Sequence, residues 1–284
     1  MTCSLLEGKK VSALMRAELK NRIEAYKEKG YRLPALAVLL IGSNPASKIY
    51  VDNKRRACEE IGITSHAYDL PENIKESELI TLIEQLNQSE NIDGILIQLP
   101  LPSQINTQKI LECVSPLKDV DGFHPFNMGK LAQGEPFLRP CTPYGIIQLL
   151  QHYNIQLAGK NVVVIGASII VGRPMALEFL NAKATVTICH RRTRNLEEHV
   201  KKAEIIVVAT GVINVVPAEW LQSHQIVIDV GIHRLAEGKL RGDIDFALAK
   251  NKVSWLTPVP GGVGPMTIAT LLQNTFKAYA HNME

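Results

Sequence analysis

Tyr50 and Lys54 stand four apart in the run Ser47-Lys48-Ile49-Tyr50-Val51-Asp52-Asn53-Lys54, a spacing that puts two side chains on one face of a helix. A phenol beside a primary amine can hold, orient and pass a proton. In Ile97-Gln98-Leu99-Pro100-Leu101-Pro102 an apolar strand delivers Gln98 at its carboxyl end, where ligands collect in open parallel sheets. Lys118-Asp119-Val120-Asp121-Gly122-Phe123-His124-Pro125 adds two carboxylates, each able to accept paired N–H donors. Plainer readings stand beside these. The Tyr/Lys pair also fits a solvated surface face, Gln98 a strand-end cap, the two acids turn residues, and Pro100 and Pro102 strand terminators.

A second constellation is Asn161 to Arg173, NVVVIGASIIVGR, a buried strand entering a turn that holds Gly166, Ser168 and Gly172. Glycines there let backbone N–H groups approach a pyrophosphate, and the following helix N-terminus favours its charge. The spacing departs from G-x-G-x-x-G: Ser168 replaces the second glycine and an extra residue precedes Gly172. Taken alone it also fits a tight strand-to-helix turn. At the end of the next strand, where an NAD enzyme places an acid, the sequence reads Cys189-His190-Arg191-Arg192-Thr193. Arginine with a neighbouring hydroxyl suits a 2′-phosphate, so NADP is favoured over NAD. The alternative is a solvated basic turn of Arg191, Arg192 and Arg194.

These groups need two frameworks to position them. Val11, Met15, Leu19, Ile23 and Tyr26 recur at helical spacing up to Gly30, which predicts an amphipathic surface helix. Ala35 to Ile41 reads as a buried strand, followed by a proline-started helix to Gly62, a strand near His66 to Leu70, a helix over Glu76 to Gln88, a strand over Gly94 to Leu99 and a weaker helix over Gln104 to Cys113. Strands alternating with helices imply a parallel sheet. Ser115 to Thr142 reads as loop and contains the domain boundary. A helix then runs to Tyr153, and Asn161 to Ile165, Ala184 to Cys189, Glu204 to Ala209 and Gln225 to Asp229 are four apolar runs of a second α/β unit, of dinucleotide-binding type. The division expected is 1–140 and 141–265, with a last helix over 266–284 that returns to the first domain.

Composition excludes several classes. Lys and Arg number 31 against 28 Asp and Glu, a formal charge of +3, too small for a dedicated nucleic-acid binder. The five cysteines form no C-x-x-C pair, which argues against a disulfide framework or a zinc site and for a reducing cytoplasm. The eight histidines show no metal-ligand clustering, so no metal is expected. No apolar run is long enough to cross a bilayer, and the first residues lack a signal-peptide pattern.

Taken in order, these segments resemble the bifunctional methylenetetrahydrofolate dehydrogenase/cyclohydrolase family nearly end to end. The resemblance includes Pro140-Cys141-Thr142-Pro143, Asp229-Val230-Gly231 and Thr257-Pro258-Val259-Pro260-Gly261-Gly262-Val263-Gly264-Pro265-Met266-Thr267. Ile169 departs from it, since relatives usually carry a polar residue there. The resemblance implies two α/β domains flanking a cleft, the second Rossmann-type with a parallel sheet, and a homodimer joined through the nucleotide domains. It implies NADP-dependent oxidation of 5,10-methylenetetrahydrofolate to the methenyl cation, then hydrolysis to 10-formyltetrahydrofolate.

Residue by residue, the resemblance makes Lys54 the proton-handling amine, with Tyr50 and Gln98 orienting it, and gives Asp121 to the guanidine-like edge of the pterin. Ser47, Pro100 and Leu101 would line the substrate, joined by Pro260, Gly261 and Gly262. Gly166, Ala167, Ser168, Val171, Gly172 and Arg173 would cradle the cofactor phosphates. His190 and Arg191 would meet the 2′-phosphate, and Thr210, Gly211, Gly231 and Ile232 would complete that site. Two other readings stay open at this point, an NADP-dependent dehydrogenase of shikimate or amino-acid type and a non-catalytic NADP-binding module.

Overall fold

The chain opens with a two-residue strand, β1, Ser4–Leu5, and the amphipathic run after it forms α1, Gly8–Glu28, with Val11, Leu19 and Ile23 buried. In this computed structural model the described residues are 3–235 and 238–283. The fully apolar run Ala35–Ile41 is β2, buried at every position, as a parallel strand covered on both faces must be. α2, Pro45–Ile61, starts at a proline, and the Asn44 side chain accepts a 3.2 Å bond from Ser47 N in its first turn. β3, Thr64–Leu70, alternates exposed and half-buried positions. α3, Glu76–Gln88, β4, Gly94–Ile97, and α4, Thr107–Cys113, follow.

The segment expected to be loop contains a helix, α5, Pro125–Ala132. His124 caps it, its Nδ1 accepting from Phe126 N at 3.0 Å, and Pro125 supplies a first residue that lacks an N–H anyway. Its short length and one buried apolar side chain, Leu131, leave little periodicity to detect. α6 is Cys141–His152, β5 Asn161–Ile165, α7 Gly172–Asn181, β6 Thr185–Cys189 and α8 Leu196–Lys202. β7, Ile205–Val208, and β8, Ile226–Asp229, are separated by a 3-10 turn at Ala218–Trp220. A short hairpin of β9, His233–Arg234, and β10, Leu240–Arg241, precedes α9, Phe246–Ala249, β11, Trp255–Leu256, and the last helix α10, Val263–Met283. The hairpin, α9 and the two-residue strands are too short to show a period, and none was expected.

Two compact units result: Met1–Ala13 with Pro140–Thr267, and Leu14–Arg139 with Ile268–Glu284. The first thirteen residues therefore correct the expected division at 1–140. β1 pairs in parallel with β11, and Lys9 N donates to Gly261 O at 2.8 Å, so this segment belongs with the later sheet. In that unit the strands run in the order β1-β11-β8-β7-β5-β6, all parallel. The order reverses at β5, so the ligand position lies beyond the carboxyl ends of β5 and β7. The other unit has the parallel order β3-β2-β4, with its own reversal at β2. Both sheets thus point their carboxyl edges at the segments singled out above.

Candidate active site

Lys54 sits on α2 and is only 8% exposed. Its Nζ donates to Gln98 Oε1 at 3.1 Å, while Gln98 Nε2 donates to Leu99 O at 2.7 Å. The second bond fixes which way the amide faces, so the carbonyl end meets the amine. Gln98 N in turn donates to Leu39 O at 2.9 Å, extending the β2–β4 ladder by one residue. The amide is therefore held by the sheet and the amine by the helix, which corrects the readings of a solvated lysine and a mere strand-end cap. Tyr50 lies one turn earlier on α2 at 36% exposure, and Ser47, one turn before that, is buried.

Pro100 and Leu101 line a cavity of about 360 Å³ with Gly42, Ser43, Asn44 and Glu72. It opens at the carboxyl ends of β2 and β4, and Lys54 lies outside its walls. Asp121 is half-buried on the neighbouring loop. That loop is braced from within its own unit. Asn274, on α10, donates to Val120 O and to Arg139 O, each at 2.8 Å. Asp119, almost fully buried, accepts from His124 N at 2.8 Å and Asn127 Nδ2 at 2.9 Å. Burial pushes its carboxyl above the usual range, and the bonds from Asn127, His124 and Phe123 pull it back. Asp119 is thus a brace, not a solvated turn acid.

In the other unit Gly166 follows β5 at φ +122, where an added Cβ would lie 2.2 Å from Ala209 O. Gly172 is equally constrained, with Gly166 O 2.0 Å from its missing Cβ. Only glycine satisfies both the angle and the approach at Gly166, and the approach at Gly172. Ser168 Oγ accepts from Val171 N at 3.1 Å and Gly172 N at 3.4 Å, so it caps α7. Arg173 is exposed and its Nε donates to Ala167 O at 3.2 Å. Ile169 projects from the turn at 54% exposure.

At the end of β6, Arg191 and Arg192 are exposed. Thr193 Oγ1 accepts from His190 N at 2.9 Å and lies 3.2 Å from His190 Nδ1. Its hydroxyl therefore helps to build the turn that carries the two arginines. Two exposed guanidiniums next to a glycine turn form a donor set that fits a phosphorylated dinucleotide. Thr210 and Gly211 follow β7, and Gly231 and Ile232 follow β8, on the same carboxyl edge. Pro260, Gly261 and Gly262 follow β11 in this unit, where Gly262 N donates to Pro258 O at 2.8 Å to close a tight turn before α10.

The sequence reading missed a buried acid network here. Asp243 accepts from Thr210 N, Thr210 Oγ1 and Gly211 N, at 2.8, 2.9 and 2.9 Å. Asp229 accepts from Gly231 N at 3.0 Å and from Asp243 N and Ile244 N, both at 2.9 Å. Burial pushes the Asp229 carboxyl up to about 6 against the pull of those bonds. The run Arg241-Gly242-Asp243 carries a glycine beside the acid, the only local hint. Asn274 was likewise missed, although a polar residue on an otherwise buried helix face marks it. Among the described residues no cluster of His, Cys, Asp and Glu is arranged to hold a metal ion.

Two family models match the chain. The tetrahydrofolate dehydrogenase/cyclohydrolase catalytic domain matches residues 6–121, and the NAD(P)-binding domain of the same family matches residues 140–283. The bifunctional protein FolD of Legionella pneumophila, strain Corby, is 60% identical over 284 residues, covering 100% of both chains. Among solved structures, the bifunctional methylenetetrahydrofolate dehydrogenase/cyclohydrolase FolD of Campylobacter jejuni aligns with TM-score 0.96 at 50% identity, covering 98% of this chain and 99% of that one. The Trypanosoma brucei enzyme, complexed with NADP cofactor and an inhibitor, aligns with TM-score 0.96 at 33% identity, covering 100% and 99%. Shikimate dehydrogenase from Aquifex aeolicus aligns with TM-score 0.52 at 14% identity over 87% and 91%, a likeness of fold alone.

Proposed function

The chain belongs to the tetrahydrofolate dehydrogenase/cyclohydrolase family, and from that premise we propose how its residues share the two reactions of a bifunctional enzyme. It oxidises 5,10-methylenetetrahydrofolate to 5,10-methenyltetrahydrofolate with NADP and hydrolyses the product to 10-formyltetrahydrofolate. NADP, when bound, supplies a hydride acceptor. The carbon that loses hydride is flanked by two nitrogens that delocalise the resulting cation, so this step needs positioning more than a base. Gly166, Ala167, Ser168, Val171, Gly172 and Arg173 receive the phosphates, His190 and Arg191 the 2′-phosphate, and Thr210, Gly211, Gly231 and Ile232 the remaining part.

Hydrolysis asks for more, because the attacking water must lose a proton and a ring nitrogen must gain one as the intermediate collapses. Lys54 does this work. The observation that carries the assignment is its buried amine, held by the Gln98 carbonyl where β4 ends. Tyr50 orients the amine from the same helix face. Asp121 accepts the paired N–H donors of the pterin, and Ser47, Pro100, Leu101, Pro260, Gly261 and Gly262 shape the rest of the folate site.

A homodimer is supported by β6, an edge strand whose Ile188 is exposed beside exposed Thr185 and Thr187; an unpaired edge of this kind readily pairs with another copy. A cytoplasmic location is supported by five cysteines, all free. Among the described residues no helix is long and apolar enough to cross a membrane.

Mixing the protein with methylenetetrahydrofolate and NADP tests the assignment: reduced cofactor and methenyl absorbance should both appear, and the latter should decay by hydrolysis. Cofactor reduction without decay faster than the uncatalysed rate would remove the cyclohydrolase half. No reduction at all would remove the dehydrogenase half.

A further inference from the structure

The segment after β7 reaches the cofactor edge with almost no packing to hold it. Gly211 takes φ +68, and Val212 and Ile213 are 55% and 41% exposed. A loop with few buried apolar contacts is poorly ordered unless hydrogen bonds order it. Here they come from Asp243, whose side chain is entirely buried. One of its oxygens accepts the Thr210 N–H, the Thr210 hydroxyl and the Gly211 N–H. The other lies 2.7 Å from His233 Nε2. Its backbone is fixed as well: Asp243 N donates to Asp229 Oδ1, and Asp243 O accepts from Asn214 N at 2.7 Å. The neighbouring backbone is glycine where these carboxylates press on it, since a Cβ at Gly231 would lie 2.1 Å from Asp243 Oδ1 and one at Gly242 1.9 Å from Asp229 Oδ2. Such a network, fully satisfied, sets one loop conformation.

We propose that Asp243 is a positioning residue of the NADP site, fixing the exposed loop at Thr210 and Gly211 in the form that receives the cofactor without touching the cofactor itself. This rests on the reading of its unit as the NADP site. The hydrolytic step transfers no electrons and its proton-handling amine lies on α2, so it provides an internal control for folding.

The test measures NADP affinity by titration and cyclohydrolase rate on methenyltetrahydrofolate, side by side. Asp243→Ala leaves three donors without an acceptor and should weaken NADP about tenfold or more while changing the hydrolytic rate by less than about twofold. Asp243→Asn should recover most of that loss, because its amide oxygen can take the Thr210 and Gly211 donors and its NH₂ can face His233. Where Asp243→Ala fails to fold, His233→Ala decides, since it removes the partner of the other Asp243 oxygen, is not among the residues assigned to the cofactor, and should weaken NADP by about threefold. NADP affinity like that of the native protein in a folded Asp243→Ala, or in His233→Ala, overturns the proposal. Parallel loss of binding and hydrolysis that Asp243→Asn does not reverse also overturns it, by reducing Asp243 to general support. A native enzyme that hydrolyses the methenyl compound and binds no NADP overturns the reading of the unit instead.

Discussion

Lys54, 8% exposed, is met by one side-chain carbonyl, that of Gln98; Asp229, 4% exposed, is met by backbone N–H groups of residues 231, 243 and 244. Both are buried ionisable groups answered by neutral dipoles, yet the partners differ in kind. The Gln98 amide comes from a single strand end. Three backbone amides from two loops cannot shift without moving those loops. The Lys54 contact therefore depends on two side chains, whereas the proton balance of Asp229 is tied to the shape of the nucleotide unit.

The largest effect that sharpens this contrast is expected from Lys54→Met. Cyclohydrolase activity should fall about 10²–10⁴-fold, the usual worth of a proton-transferring group, with hydride transfer losing far less. Equal loss of both in a folded variant would erase the distinction. Next comes Asp229→Asn. The native state holds the Asp229 proton up to about pH 6, well above an unfolded aspartate, so protonation favours the fold. That contribution is complete below the unfolded value of about 4, declines as pH rises to about 6, and is gone above it, amounting to on the order of 2–3 kcal/mol. Unfolding titrations should show the stability of the native protein relative to Asp229→Asn falling across that window and flat above it; a constant difference would release Asp229 from its role. The smallest effect is at the rim. Arg191→Ala should raise the Michaelis constant for NADP about tenfold relative to NAD, and an unchanged ratio would exclude Arg191.

The same contrast explains what could be read from the residues alone. β2 begins and ends where its apolar run does, and β5 is apolar and buried after its opening Asn161, because a strand buried on both faces admits few polar residues until it leaves the sheet. Lys54 and Gln98 were legible through helical spacing and a strand terminus. α5 was not, because its eight residues bury one apolar side chain on the helix face and its cap is a histidine. Asn274 and Asp243 carried only faint local hints, because their partners lie 154 and 33 residues away and no local pattern names the partner of a hydrogen bond across such a separation. The pairing of β1 with β11 was hidden likewise, being two residues long and joining opposite ends of the chain.

Asn274 has a consequence for biosynthesis. The unit that begins at Leu14 has its sheet made before most of the other unit, yet its residues include those from Ile268 onward. Asn274 braces the Val120 carbonyl, Lys277 reaches Phe137 O at 2.8 Å and Tyr279 reaches Arg32 O at 2.6 Å. β2, β3 and β4 are therefore made well before the helix that secures the loop carrying Asp121. A premature stop codon just before Asn274 would spare every residue assigned to chemistry and still release a nascent chain whose Val120–Asp121 loop has lost its brace.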